Sequence, residues 1–179
     1  MTSDAVISCI PGLSCAADTV VGLSDLVNFT ATTPTRGMEP NGWTVVGLSN
    51  NCFASASEHV VDGTLLGYPA QVLFTPVAYR WDFDDGTSAE SATGGATWAA
   101  LELPEFSTTT TSHVFDARGT SSVVLTVQYS TQFSFGEPEW WPVEGLVSVA
   151  VPAMPVVAAR ESTVLVREDC RQNPRGPGC

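Results

Sequence analysis

The chain has 179 residues with nineteen acidic and seven basic side chains, a net charge of -12, and every basic residue is arginine. A field of that sign repels phosphate backbones and anionic lipid, and a chain without lysine holds no phosphate-loop lysine, Schiff base or Ser-Lys dyad. The length suits one β-domain with elaborations, and no apolar run approaches the roughly 18 residues that cross a bilayer, so neither nucleic-acid binding nor membrane insertion is expected.

Residues 1 to 19 read as irregular, and MTSDAVISCIPGLSC lacks the basic start and apolar stretch of a signal peptide. Leu23 to Phe29 and Trp43 to Leu48 read as the first ordered segments, divided by the turn cluster of Pro34, Gly37, Pro40, Asn41 and Gly42. Residues 58 to 66 and 69 to 76 predict a hairpin turning at Gly67 and Tyr68. Val77, Tyr79, Trp81 and Phe83 then alternate with Ala78, Arg80 and Asp82. The stretch from Ser88 to Ser112 is less regular. Its WAALEL predicts either a short helical turn or an extra edge strand, and Ser107 to Ser112 predicts an exposed, extended linker. A specific loop function would reside here.

Asp116 to Gly119 is a turn, and the strand that follows is the most regular of the chain. Its odd positions, Val123, Leu125, Val127, Tyr129, Thr131, Phe133 and Phe135, alternate with Gln128, Ser130, Gln132 and Ser134 among the even ones. Period two marks a strand with one buried face. Gly136 to Glu139 reads as another hairpin, and Val143 to Val151 and Val156 to Val166 as final strands separated by Pro152 and Pro155. Two one-sided strands close over one core, which predicts a β-sandwich. VVGLS occurs at 20 to 24 and at 45 to 49 but is too short to mark a solenoid repeat.

Five cysteines, Cys9, Cys15, Cys52, Cys170 and Cys179, contain no CxxC pair, and neither His59 nor His113 sits at zinc-ligand spacing from a cysteine pair. Disulfides are the better reading. CIPGLSC and CRQNPRGPGC are short turn-rich loops, and closing one contributes about 2 to 3 kcal/mol in the chain-entropy model. Pairing between the two chain ends is the alternative, and spacing does not choose. Cys52 is then left over, buried and reduced or paired between molecules. Any such pairing implies an oxidising compartment.

The run YRWDFDDGT at 79 to 87, with Trp81, Asp82, Phe83, Asp85 and Gly86, then His113 and Phe115 in SHVF, then Gly119 ahead of Val123, Leu125 and Val127, resembles the signature of the polycystic kidney disease (PKD) domain. The resemblance covers residues 58 to 151 and implies an immunoglobulin-like β-sandwich, used outside the cell as a spacer or adhesion module. Residues 1 to 57 are then an extension partly packed on the sandwich, and 152 to 179 a further strand with a cysteine-containing tail. The whole layout is similar to small actinobacterial proteins with one PKD-like domain and a tail like Asn173 to Cys179, some of them found with surface pilus genes.

Three groups of residues carry chemistry worth weighing. Asp82, Asp84 and Asp85 offer hard oxygens to calcium, yet DxDDG lacks the further carboxylates of a calcium loop, and in the family this Asp-Gly shapes a turn. His113 and His59 lack the GxSxG elbow of a hydrolase and read as structural. Trp98, Trp140 and Trp141 suit the apolar faces of sugar rings; consecutive Trp140 and Trp141 on a strand point to opposite faces. The expectation is a noncatalytic, secreted or surface-attached module contacting surface proteins, with no cofactor or metal. Binding of cell-wall glycan through Trp140 and Trp141 is the alternative.

Overall fold

The computed structural model describes residues 20 to 136, 139 to 160, and 171 to 172. Among them the fold is all-β, with a single 3₁₀ turn at Leu23–Leu26. The strands are β1 (Thr35–Glu39), β2 (Trp43–Val45), β3 (Ser49–Ser55), β4 (His59–Leu65), β5 (Tyr68–Phe83), β6 (Ser88–Ser91), β7 (Ser112–Val114), β8 (Gly119–Ser134), β9 (Trp141–Ala150) and β10 (Met154–Ala159). They form two sheets in a sandwich-like arrangement: β1-β3-β7, and β2-β10-β8-β5-β4 with β6 beside β5 and β9 beside β8.

The two long strands β5 and β8 are the spine of the larger sheet. Each of them is shared. Along β8 the first residues pair with β10 and the later ones with β9, while β5 pairs with β4 at its start and with β6 at its end. The odd positions Val123, Leu125, Val127, Tyr129, Thr131 and Phe133 of β8 are all buried, as the alternation predicts.

β5 does not keep one parity. Ala70, Val72 and Phe74 are buried at even positions, but Tyr79, Trp81 and Phe83 are buried at odd ones. The change of phase is a β-bulge between Pro76 and Ala78, which leaves Val77 opposite no residue of β8. Val77 therefore turns outward, 38% exposed, although its sequence phase groups it with Trp81. Pro76, which has no N–H to give a ladder, sits at this irregularity.

The predicted hairpin of β4 and β5 turns at Leu66 and Gly67, whose φ angles of 52° and 88° match a two-residue turn with both residues left-handed. Tyr68, placed in the turn by the sequence reading, is instead the first residue of β5, paired with Leu65. Of the two readings of WAALEL, the helical turn is the one seen: the amides of Leu101 and Leu103 bond the carbonyls of Thr97 and Trp98 at 3.0 and 2.9 Å. The extra edge strand lies earlier, as β6.

Residues 107 to 112 are not an exposed linker. Thr111 is fully buried with its hydroxyl on the Cys52 carbonyl, Thr109 donates its hydroxyl to Asn51 Oδ1 at 2.7 Å, and Ser49 and Thr108 hydroxyls lie 3.2 Å apart. Short polar side chains met along β3 make this tract part of the smaller sheet's surroundings. Pro155, expected between strands, lies inside β10. There β10 faces Ser122 of β8, while the register with β2 runs from Val157 onward, so no ladder bond is forfeited on the open side. Residues of the predicted last strand beyond 160 lie outside the described residues.

Candidate functional site

The residues of the WDFDDG and SHVF runs meet at one corner, where β5 leaves the larger sheet and β7 runs in the smaller one. Gly86, at φ 83°, closes the turn, with its amide on the Phe83 carbonyl at 3.1 Å and the Phe83 amide on Thr87 at 2.9 Å. Asp85 Oδ1 accepts both the Thr87 amide at 2.9 Å and the Thr87 hydroxyl at 2.6 Å. Its Oδ2 lies 2.7 Å from His113 Nε2, so that nitrogen carries the proton and donates it. The His113 ring stacks on Phe83 with centroids 3.9 Å apart and meets Phe115 edge-on at 4.6 Å. Partial burial raises the Asp85 pKa, but the Thr87 bonds and the neighbouring His113 outweigh it and hold the carboxyl below its ordinary range.

Asp82 takes another route. It reaches back along β5 to Arg80, at 2.8 Å, and Arg80 also holds Glu90 of β6 at 2.9 Å, an exposed ladder across the two strands. The carboxylates of the acidic turn thus diverge, and among the described residues no three His, Cys, Asp or Glu side chains gather where a metal ion would sit. Trp81 and Phe115 are buried beneath the corner, and Gly119 opens β8.

His59 is also committed to backbone. Its Nε2 accepts the Thr32 amide at 2.9 Å, which fixes the proton on Nδ1, facing the Ser57 carbonyl at 2.9 Å. The ring stacks on Phe74 beside a cavity of about 200 Å³. Cys52, in β3, is a buried free thiol whose pKa burial pushes up to about 12. Cys9, Cys15, Cys170 and Cys179 lie outside the described residues.

The tryptophans divide differently from the sequence reading. Trp141 is half-buried with its ring 5.5 Å from Phe133, packed on the core, and Trp140 is half-buried in the connection before β9. Trp98 is buried. Trp43, which the sequence places only at the start of an ordered segment, is 50% exposed. Its only signal was its place directly after the Asn41-Gly42 turn, ahead of Thr44, which is fully buried and so sends its neighbour outward.

Trp43 forms one wall of a half-open groove of about 360 Å³, completed by Glu39, Trp98, Leu103, Glu105 and Phe106. Trp98 is fastened at three points: its amide to Glu39 Oε2 at 2.8 Å, its indole N–H to the Ser107 carbonyl at 2.9 Å, and its ring to Phe106 at 5.6 Å. Glu39 Oε2 also accepts Asn51 Nδ2 at 3.1 Å, and the same amide group holds the Ala96 carbonyl at 2.9 Å. Phe106 is held at φ 65°, a left-handed conformation that costs a non-glycine residue about 1 to 2 kcal/mol. The loop from 96 to 111 is thereby anchored on β3 and aims Phe106 at Trp98. Among the described residues, ion pairs are seen at Arg80 and at His113, and neither Glu39 nor Glu105 takes part in one.

Val157 lies beside this groove. It is the parallel partner of Trp43 across β10 and β2 and is likewise 50% exposed. Paired residues of neighbouring strands project from the same face. Comparison with known proteins finds no match to this chain among family models, curated proteins or solved structures.

Proposed function

We propose that this chain is a noncatalytic, immunoglobulin-like β-sandwich of PKD-like type. It acts outside the cell or on its surface as a structural or adhesion module between proteins, in a setting such as a surface pilus. The observation that carries the reading is the exposed apolar pair Trp43 and Val157, continuous with the aromatic groove and with half-exposed Leu103. Apolar side chains gathered beside a concave, pre-anchored site are the usual form of a contact surface. The corner of Asp85 and His113 supports the same reading, because the motif's polar groups hold a turn and a neighbouring strand together. Disulfides among Cys9, Cys15, Cys170 and Cys179 in an oxidising compartment belong to this proposal.

The test is to place a photo-cross-linking residue at Val157 in the source cells and to fractionate sheared surface material, medium, membrane and cytoplasm. Cross-links to a surface protein support the module. Recovery of uncross-linked, reduced monomer in the cytoplasm overturns both the contact and the compartment. Cell-wall glycan binding is a second reading, favoured by the aromatic lining of the groove and by half-exposed indoles at Trp140 and Trp141. It predicts an indole fluorescence change on adding cell-wall polysaccharide, lost in Trp140→Ala or Trp141→Ala; an unchanged wild-type titration removes it.

A further inference from the structure

We propose that the groove between β2 and the anchored loop seats an arginine side chain of the partner polypeptide, its guanidinium between the aromatic walls and the carboxylates of Glu39 and Glu105. The inference rests on the protein-contact reading above and names the chemistry of that contact. Four observations carry it. The lining carboxylates have no cation of their own among the described residues, although Glu39 is fixed in place by Trp98 and Asn51 through Oε2 alone. Among the described residues no partner occupies the other oxygen of Glu39, which is left to receive a donor.

The hydrogen-bonding character of the lining is one-sided. Trp98 spends its indole N–H on Ser107, Leu103 and Phe106 have no polar side-chain atoms, and the two glutamates only accept. Trp43's indole N–H is the single uncommitted side-chain donor among these six. Such a lining matches a group that only donates, and guanidinium is that group, with five N–H bonds and no acceptor. Sugar hydroxyls both donate and accept, so a pyranose here finds one free side-chain donor for its lone pairs and leaves the rest to water. Shape agrees with charge: guanidinium is planar and weakly hydrated and stacks on indole faces better than an ammonium does. The volume of about 360 Å³ takes one long side chain with its hydration, at the small end of ligand-sized sites. Finally, the net charge of -12 draws basic segments toward the molecule from a distance.

The experiment follows the indole N–H signals of Trp43 and Trp98 in the ¹⁵N-labelled full chain. The probes are an acetyl-Gly-Arg-Gly-amide peptide, its citrulline analogue, which is neutral but nearly isosteric, and methyl β-glucoside. The expected result is a saturable shift of both indoles with the arginine peptide, and binding about tenfold weaker for citrulline, for Glu105→Gln and for Trp43→Ala, the order of a lost cation–π or charged contact. Binding also weakens in 0.5 M salt, a concentration on the order of that at which exposed charges are screened. Equal response to citrulline, stronger response to the glucoside, or shifts confined to other residues overturns the inference. Cross-linking from Val157 is run in parallel on wild type and Glu105→Gln. A surface partner captured equally by both, with no arginine response, sinks the groove assignment and leaves the contact surface standing. Absence of any surface partner sinks the reading on which it rests.

Discussion

Replacing Asp85 with alanine removes three acceptor contacts at once: the Thr87 amide, the Thr87 hydroxyl and the His113 ring. Shielded hydrogen bonds to a charged group contribute about 1.5 to 3 kcal/mol each, but the Asp85 side chain is 39% exposed and solvent discounts them heavily. About 1.5 kcal/mol for the set is the resulting expectation, a fall in melting temperature of roughly 3 to 6 °C for a domain of this size. Asp85→Asn keeps an oxygen for Thr87 but sets an amide NH2, a donor, opposite the His113 N–H, so it loses the charge and the His113 bond and falls by about half as much. The folded carboxyl titrates below its unfolded value of about 3.9. Its contribution is therefore whole at neutral pH and is lost as the pH drops through the lower, folded value. The gap in melting temperature between wild type and Asp85→Asn should close in that acid window. Differential scanning calorimetry between pH 7 and 3 measures this. A melting temperature for Asp85→Ala within 1 °C of wild type at pH 7 (about 0.3 kcal/mol or less), or a gap that widens in acid, refutes the account of this corner.

Gly94 leaves no room for a side chain: a Cβ there would stand 2.1 Å from the Ala54 carbonyl oxygen, beside the 2.8 Å bond from the Ala54 amide to Gly94. Gly94→Ala is expected to cost about 2 to 3 kcal/mol in chemical denaturation, and an unshifted midpoint contradicts it. Thr131 has a buried hydroxyl with no partner, so Thr131→Val, of the same shape, should gain about 1 kcal/mol; a lower melting temperature counts against this. Cys52, buried with its thiol pushed up to about 12, should resist alkylation in native buffer and react on unfolding, followed by mass spectrometry of its peptide. Modification of the native protein at the unfolded rate shows the burial to be wrong.

The strands were legible wherever one face is buried and one is wet. β8 reads directly from its odd positions, and the β4–β5 hairpin from its glycine. The phase change at Val77 was not legible, because a bulge is fixed by the partner strand and not by local periodicity. Nor was the packing of Ser107 to Ser112. A polar tract looks solvated until its hydroxyls meet Asn51 and the Cys52 carbonyl, contacts made across some sixty residues of chain. Asp85 and His113 were legible as members of one motif, but that they meet was not, because the contact joins a turn after β5 to β7 across 28 residues of chain. The groove was least accessible to sequence reasoning. Its walls come from β1, β2 and a loop far along the chain, and the one mark of exposure on Trp43, its place just after the Asn41-Gly42 turn, does not say what it faces.

β2 enters the larger sheet only by lying parallel to β10, so the strand that carries Trp43 waits for the last described strand to arrive. Pairings this distant along a chain form late, after loop closure has been met by contacts elsewhere. The placement of Trp43 at the groove is thus expected among the later steps of folding. A chain halted before Met154 can assemble β4, β5 and β8 yet leaves β2, and with it Trp43, without the strand it pairs with. Readiness to engage a partner is in this way tied to completeness of the domain: without β10 the wall that Trp43 forms has no neighbouring strand to fix its position.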